Sequence, residues 1–301
     1  MANEINKLEG QEQLAEQIRG AVFAASKDYS ASIAAFRRAY DVAPSKVQPM
    51  VTLVRSYLLA GKAGEAMDFL GSVIQASPEN VTALLLLGEL QAANGDSAEA
   101  VQGFERVIDL QPQNTAGYTN LANLRMREGH TDAAEQVIGR GLLAVPGNFD
   151  LLMAQASIYE VSRRFEEAIA AYEALFKTYP GSDVVVNNLA SLLSEHRTDQ
   201  ASLLRAYEMT QRFSRSDAPY FKDTLGWASY RLGKFDEGLP LLESAVRQMP
   251  GQPIFRYHLG MSYAALNRKE LARQELEKAR ELSQGDNQQS TEQIRRALEG
   301  L

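Results

Sequence analysis

Residues 78–114 read PENVTALLLLGELQAANGDSAEAVQGFERVIDLQPQN, and the punctuation of this stretch decides the fold. Pro78 and Pro112 lie 34 residues apart, Gly95 falls midway between them, and Asn80 and Asn114 each stand two residues after a proline. Each interval between the marks holds an amphipathic helix of roughly 12–14 residues, about 20 Å at 1.5 Å rise per residue. Outward from here the pattern continues. Pro44, Pro78, Pro112, Pro146 and Pro180 keep a spacing of 34, and Pro250 follows two periods plus two residues later. Gly61, Gly95 and Gly129 share the period, Gly233 lies 17 residues before Pro250, and Asn267 lies 34 after Gly233. Glycine and asparagine tolerate the left-handed backbone of a tight turn. Lys27 and Arg163 hold this site in two other units and depart from the residue type.

A fixed period of this length marks stacked supersecondary units. The registers are 13–46, 47–80, 81–114, 115–148, 149–182, 183–218, 219–252 and 253–286. Their eighth site reads Gly20, Val54, Gly88, Ala122, Ala156, Ala190, Gly226 and Gly260, and their twentieth Ser32, Ala66, Ala100, Ala134, Ala168, Ser202, Gly238 and Ala272. Small residues at both sites let two helices cross closely. The twenty-fourth reads Phe36, Leu70, Phe104, Ile138, Tyr172, Ala206, Leu242 and Leu276, expected to fill the space between neighbouring pairs. Asn80, Asn114, Asn148 and Ser182 are N-cap residues for the next helix. Lys46 and Gln252 break that pattern, although Pro253 suits a first helical turn. In the sixth unit Ser214 replaces the proline, and two extra residues are expected within 214–218.

The pattern resembles the tetratricopeptide repeat over nearly the whole chain. Thr224-Leu225-Gly226-Trp227, Tyr230, Gly233, Leu239, Ala245 and Pro250 carry the resemblance best, followed by His258-Leu259-Gly260 and Tyr263. The family's tryptophan at the fourth site is absent, with Met50, Leu84, Tyr118 and Leu152 there instead. The resemblance implies an all-α fold, a right-handed α-solenoid of about eight helix pairs over 1–286. A C-terminal capping helix over 287–301 completes it. The last repeats are also similar to bacterial repeat proteins that accompany exopolysaccharide export and exosortase-type (PEP-CTERM) sorting.

The ends are read as caps. Ser290 and Gln293 resemble a capping box ahead of an apolar stripe of Ile294, Ala297, Leu298 and Leu301, with a polar loop at 284–289. Residues 4–12, with Ile5 and Leu8, extend the first helix or are the stub of a preceding repeat. Glu16 and Arg19 occupy normally apolar sites, so this helix is expected to be partly solvated.

Composition agrees with a packed, charged-surface protein: 45% hydrophobic, 23% charged, formal net charge −7 and no cysteine. The charge argues against nucleic acid as the main ligand. The absence of cysteine excludes disulfides, thiolate metal sites and a cysteine nucleophile. No apolar run approaches the roughly 18 residues of a membrane helix, and no direct membrane insertion is expected. Met1 to Glu12 shows no apolar signal segment, so the chain as numbered is expected to be soluble and cytoplasmic, or periplasmic or envelope-associated if it derives from an exported precursor.

No phosphate-binding glycine loop or nucleophile elbow occurs. His130, His196 and His258 lie on separate units, which speaks against a zinc site. Acidic pairs such as Glu166-Glu167 and Asp236-Glu237 suit helix N-termini, and Arg37-Arg38, Arg163-Arg164 and Arg295-Arg296 read as solvated faces. No enzymatic role, cofactor or metal is expected.

The resemblance further implies that first-helix sites two, five, six, nine, twelve and thirteen line a concave groove. Carried onto this chain, these are Glu89, Thr119, Asn120, Asn123, Met126, Arg127 and Met153, then Asn187, Asn188, Ser191, Ser194, Tyr220 and Asp223, then Trp227, Tyr230, Arg231, Tyr257 and His258. The amides would meet a peptide backbone, and the aromatics would form an anchor. The lysines of the family's carboxylate clamp are missing beside Arg55 and Arg127. Equally, Trp227 packs between helices, Asn120 and Asn188 bond only to neighbouring helices, and His258 is structural. The implied function is a scaffold for a partner protein or peptide, with self-association open. The alternative is a regulatory or substrate-recruiting arm of a larger enzyme.

Overall fold

The computed structural model describes residues 12–283 and 288–301, excepting the side chains of 288–290. The readings placed on residues 4–11, on the loop at 284–287 and on the Ser290 side chain lie outside the described residues. The described residues are helical with no strand. Two compact units divide between Leu151 and Leu152.

The first unit holds four antiparallel helix pairs. They are α1 (Glu12–Ala25) with α2 (Tyr29–Val42), α3 (Val47–Leu59) with α4 (Ala63–Ala76), α5 (Val81–Asn94) with α6 (Ser97–Leu110), and α7 (Thr115–Arg127) with α8 (Thr131–Ala144). The division falls in α9 (Phe149–Val161). The second unit continues with α10 (Phe165–Thr178), α11 (Asp183–His196), α12 (Gln200–Thr210) and a 3-10 turn at Gln211–Phe213. It ends with α13 (Pro219–Arg231), α14 (Phe235–Gln248), α15 (Pro253–Ala265), α16 (Lys269–Leu282) and α17 (Gln288–Glu299). Within each unit the helices pack chiefly on their sequence neighbours, the α-solenoid plan in which contacts stay local.

Where the eighth site is glycine, it decides how closely the helices of the pair approach. A Cβ on Gly88 would stand 2.7 Å from the Phe104 ring, and one on Gly260 would stand 2.7 Å from Leu276. The twenty-fourth side chain therefore sits on the eighth-site glycine of its own pair. Phe36 also reaches forward to Met50 and Leu53, so one residue joins both layers. Burying a ring such as Phe104, 1% exposed, stabilises by roughly 2–3 kcal/mol.

The turns within pairs are left-handed, with positive φ at Gly61, Gly95, Gly129 and Gly233 and also at Lys27, Arg163 and Asn267. The backbone keeps this conformation where glycine is lost, at a cost of roughly 1 kcal/mol for a side-chain-bearing residue. The Asn80, Asn114 and Asn148 carbonyl oxygens accept from Ala83, Ala116 and Leu151 amides at 3.0–3.2 Å, and the Ser182 hydroxyl accepts from Val185.

The sixth pair corrects the sequence reading. Its two extra residues are split, one in each connection. Asp199 caps α12 through the Ser202 amide at 2.9 Å, one place later than in the other pairs. Leu203, not Ser202, thus takes the twentieth site, and buried Thr210 falls in the row of Val73, Val107, Leu175 and Ala245. No residue between α11 and α12 has positive φ.

Two charged sites are also corrected. Glu16 is buried, and its carboxylate accepts from Arg19 and, at 2.9 Å, from Arg38. Arg37 donates to the Tyr57 hydroxyl at 3.1 Å and lies over the Phe69 ring. Arg38 keeps an exposed side chain while paired with Glu16, and Arg37 is the half-buried one that departs from a solvated face. At the other end Ile294 is buried against Leu276 and Ala279, with Ala297, Leu298 and Leu301 beside it.

Candidate functional site

In the second unit α11 packs on α13 and α13 on α15. Their meeting point is His258. Its Nδ1 lies 3.1 and 2.9 Å from the two Asp223 carboxylate oxygens, and its Nε2 lies 2.9 Å from Glu195 Oε1. One imidazole thus joins three consecutive repeats.

Burial alone would push the His258 pKa down, but the two carboxylates outweigh it and raise it to about 9. The ring is therefore an imidazolium at neutral pH, donating through both nitrogens. Burial pushes the Asp223 carboxyl up despite His258. Burial also works against ionised Glu195, yet the hydrogen bond and charge of His258 prevail and hold it below the usual carboxylate range. Trp227 stacks on His258 at 4.1 Å, and Tyr230 stacks on Trp227 at 4.6 Å. A protonated imidazole over an indole face gains cation–π energy. Tyr257 lies tilted, 6.0 Å from Trp227 and 5.9 Å from His258. With both imidazole nitrogens engaged, none is left for a metal. Among the described residues no group of three His, Asp or Glu side chains is arranged to hold one.

Arg231 has a different role from the one its inward site suggests. Its guanidinium donates to the Ser194 carbonyl and, at 2.7 Å, to the Arg197 carbonyl. These lie at the C-terminus of α11, where no left-handed residue turns the chain. A side chain from the next repeat satisfies the helix end that the other pairs cap with backbone.

The amides are largely occupied. Asn187 accepts from the Thr224 hydroxyl at 2.8 Å and donates to Asn188 at 3.3 Å, while Asn188 donates to the Tyr172 hydroxyl at 3.0 Å. In the first unit Asn120 donates to exposed Glu89 at 2.8 Å, and Thr119 bonds back to Thr115 and Ala116 carbonyls. Asn123 and Arg127 are exposed, Met126 half-buried; in the second unit so are Met153 and Ser191. Asp223, Trp227 and His258 are 4–5% exposed and Ser194 is buried, so these form the floor of the surface, below any contact layer. Tyr220 is 50% exposed, while Tyr230 and Tyr257 are half-buried and burial pushes both phenols up, so these two keep only part of the ring in water.

Glu195 was not singled out from the sequence. It occupies a thirteenth site, where Arg127 and Arg231 stand in other repeats, and that reversal of charge at an inward place was the available signal. Its pairing with His258, 63 residues away, follows only from packing.

Comparison with known proteins agrees with this geometry. Residues 70–186 match the TPR domain of cytochrome c-type biogenesis protein H, and residues 224–287 match the tetratricopeptide repeat. The chain is built from tetratricopeptide repeats. No curated protein was found to match the chain. Among solved structures, a tetratricopeptide repeat protein from Parabacteroides merdae is 14% identical with a TM-score of 0.55, over 84% of this chain and 99% of that one. The Cut9–Hcn1 complex of the APC/C gives 14% identity and a TM-score of 0.61, with 99% of this chain matched to 58% of that one. Yeast Tom70 gives 15% and 0.52, over 90% and 60%. At these identities the likeness shows the TPR fold alone. No helix among the described residues is long and apolar enough to cross a membrane.

Proposed function

We propose that the chain is a non-catalytic interaction module holding a segment of a partner protein against the first-helix face of its second unit. TPR folds generally serve protein–protein interaction. The observation that carries the reading here is the pair of partly exposed rings, Tyr230 and Tyr257, ranged about Trp227 and the His258 imidazolium held by its two carboxylates. Rigid aromatics over a preorganised base give contact area at low entropic cost.

The match of residues 70–186 to the TPR domain of cytochrome c-type biogenesis protein H favours a place in cytochrome c assembly. Bacterial envelope or exopolysaccharide assembly, and service as the recruiting arm of a larger enzyme, are the other readings of the same module.

The test is affinity capture from the native host with wild type and a Tyr230→Ala, Tyr257→Ala variant, both checked by circular dichroism. Partners retained by wild type should be lost from the variant at unchanged helicity. Equal recovery of every partner would overturn the assignment of this face.

A further inference from the structure

The charges on the second unit's first-helix face do not balance. From Met153 onward, the inward sites of α9, α11, α13 and α15 carry three carboxylates, Glu160, Glu195 and Asp223, and two cations, Arg231 and His258. No lysine stands among them. Both cations are engaged inside the protein. Arg231 gives its two Nη atoms to the Ser194 and Arg197 carbonyls, at the negative end of the α11 dipole. His258 gives Nδ1 to Asp223 and Nε2 to Glu195. The corresponding sites of the first unit carry Arg55, Glu89 and Arg127, a surplus of the opposite sign.

Glu195 is the anion that a guest can reach. Only its Oε1 is bonded to His258, and its side chain is 25% exposed. Asp223, by contrast, directs both oxygens at His258 and is buried. Burial first, and then the charge of Glu195, raise the Tyr257 phenol, so the carboxylate is felt at that ring. The faces of Tyr230 and Tyr257 attract a cation placed beside them. An orphaned donor lies at the same place. The Trp227 indole N–H, in a side chain 5% exposed, has no hydrogen-bond partner among the described residues. Its ring lies 4.6 Å from Tyr230 and 6.0 Å from Tyr257. Ser194 Oγ, on the residue before Glu195, is likewise unpartnered. Buried donors are almost always bonded, so this indole marks a place that takes an oxygen acceptor.

We infer that the segment held by this face carries a lysine or arginine whose side chain meets Glu195 beside Tyr230 and Tyr257, its own carbonyl oxygen serving the Trp227 indole. This rests on the proposed function and names the chemistry of its guest. A basic residue is the one residue type that brings both complements, a cation and an acceptor. A cation is drawn to Glu195 more strongly than to a carboxylate in open water, because the surrounding rings lower the local dielectric. The attraction remains partly exposed, so added salt weakens it.

Trp227 is the chain's single tryptophan, so its indole N–H resonance in a nitrogen-labelled sample is one signal at the site itself. The probes are blocked tripeptides Gly-X-Gly, with X lysine, arginine, norleucine or glutamate, titrated at constant ionic strength. The lysine and arginine peptides should shift the resonance saturably, and the norleucine and glutamate peptides should not. Glu195→Gln keeps an acceptor for His258 and should weaken the lysine peptide at least tenfold at unchanged circular dichroism. Should that variant lose helicity, Tyr257→Leu, which leaves the carboxylate in place, should weaken the peptide about threefold. Equal response to norleucine, silence toward every peptide, or a lysine affinity unmoved by these changes and by added salt overturns the cationic guest. Continued sensitivity of partner capture to Tyr230→Ala, Tyr257→Ala would then leave the binding face standing. Loss of that sensitivity as well would remove the face itself.

Discussion

The third and sixth repeats solve the same problem differently. In α5–α6 the pair closes because Gly88 admits the Phe104 ring and Gly95, with φ of 94°, turns the chain left-handed. In α11–α12 both devices are missing. Ala190 stands at the eighth site, and the turn from Arg197 to Asp199 has no left-handed residue. Arg231 reaches back to the α11 carbonyls, Asn187 bonds to Thr224, and Glu195 reaches His258 two repeats away. Where periodic backbone devices lapse, side chains from following repeats take over. The cohesion of the sixth repeat therefore depends on a polar network, and that of the third on sterics.

The sharpest way to break this contrast is His258→Ala. It leaves Asp223 buried without its cation, and removal of one partner from a buried pair costs about 3–5 kcal/mol. Native-state hydrogen exchange should accelerate across α11, α13 and α15 while α5 and α6 keep their protection. Uniform acceleration through both units would show that the network is not local.

Steric control comes next. A Cβ on Gly238 would lie 2.6 Å from the Gly226 carbonyl oxygen, a backbone atom that cannot rotate aside. Gly238→Ala should destabilise by about 1–3 kcal/mol. Gly103→Ala, whose Cβ would make only ordinary contacts at 3.6 Å and beyond, should be neutral or stabilising by up to about 1 kcal/mol. Similar melting of both variants would refute the close-approach account.

The pH response probes the second unit alone. His258 has a folded pKa of about 9 against the ordinary 6.5. Its contribution to stability is complete below pH 6.5 and is lost as pH rises through about 9. Chemical denaturation followed by Trp227 fluorescence should show stability falling over that range in wild type. His258→Gln should be flat there. An equal slope in the variant would place the titration elsewhere.

The smallest expected effect compares the turns. Arg163 holds φ of 61° without being glycine. Arg163→Gly should stabilise by a few tenths to about 1 kcal/mol, and Gly95→Val should destabilise by more than about 1 kcal/mol. Thermal melts of the two should therefore move in opposite directions.

The helix pairs were legible because proline, glycine and asparagine act on their own neighbours, and a residue that starts or ends a helix leaves its mark at a fixed offset. The left-handed turns at Lys27 and Arg163 were legible from period alone, though residue type argued against them. The place of the two extra residues in the sixth repeat was not. An insertion of one residue in each connection leaves the same total length as two in one, and only Asp199's hydrogen bond to Ser202 distinguishes them. That Asn120 and Asn188 bond to neighbouring helices was one of the readings open in the sequence, but that the partners are Glu89 and Tyr172 was not.

By itself the sequence determined the repeat and most of its helix boundaries, because these depend on interactions within about one period of 34 residues. Only tertiary structure decided that His258 is a cation held by Glu195 and Asp223, that Arg231 caps a helix of another repeat, and that Trp227 is floor while Tyr220 is surface. Those outcomes depend on which side chains meet across separate repeats, and their charge states follow from how far each meeting point is withdrawn from water.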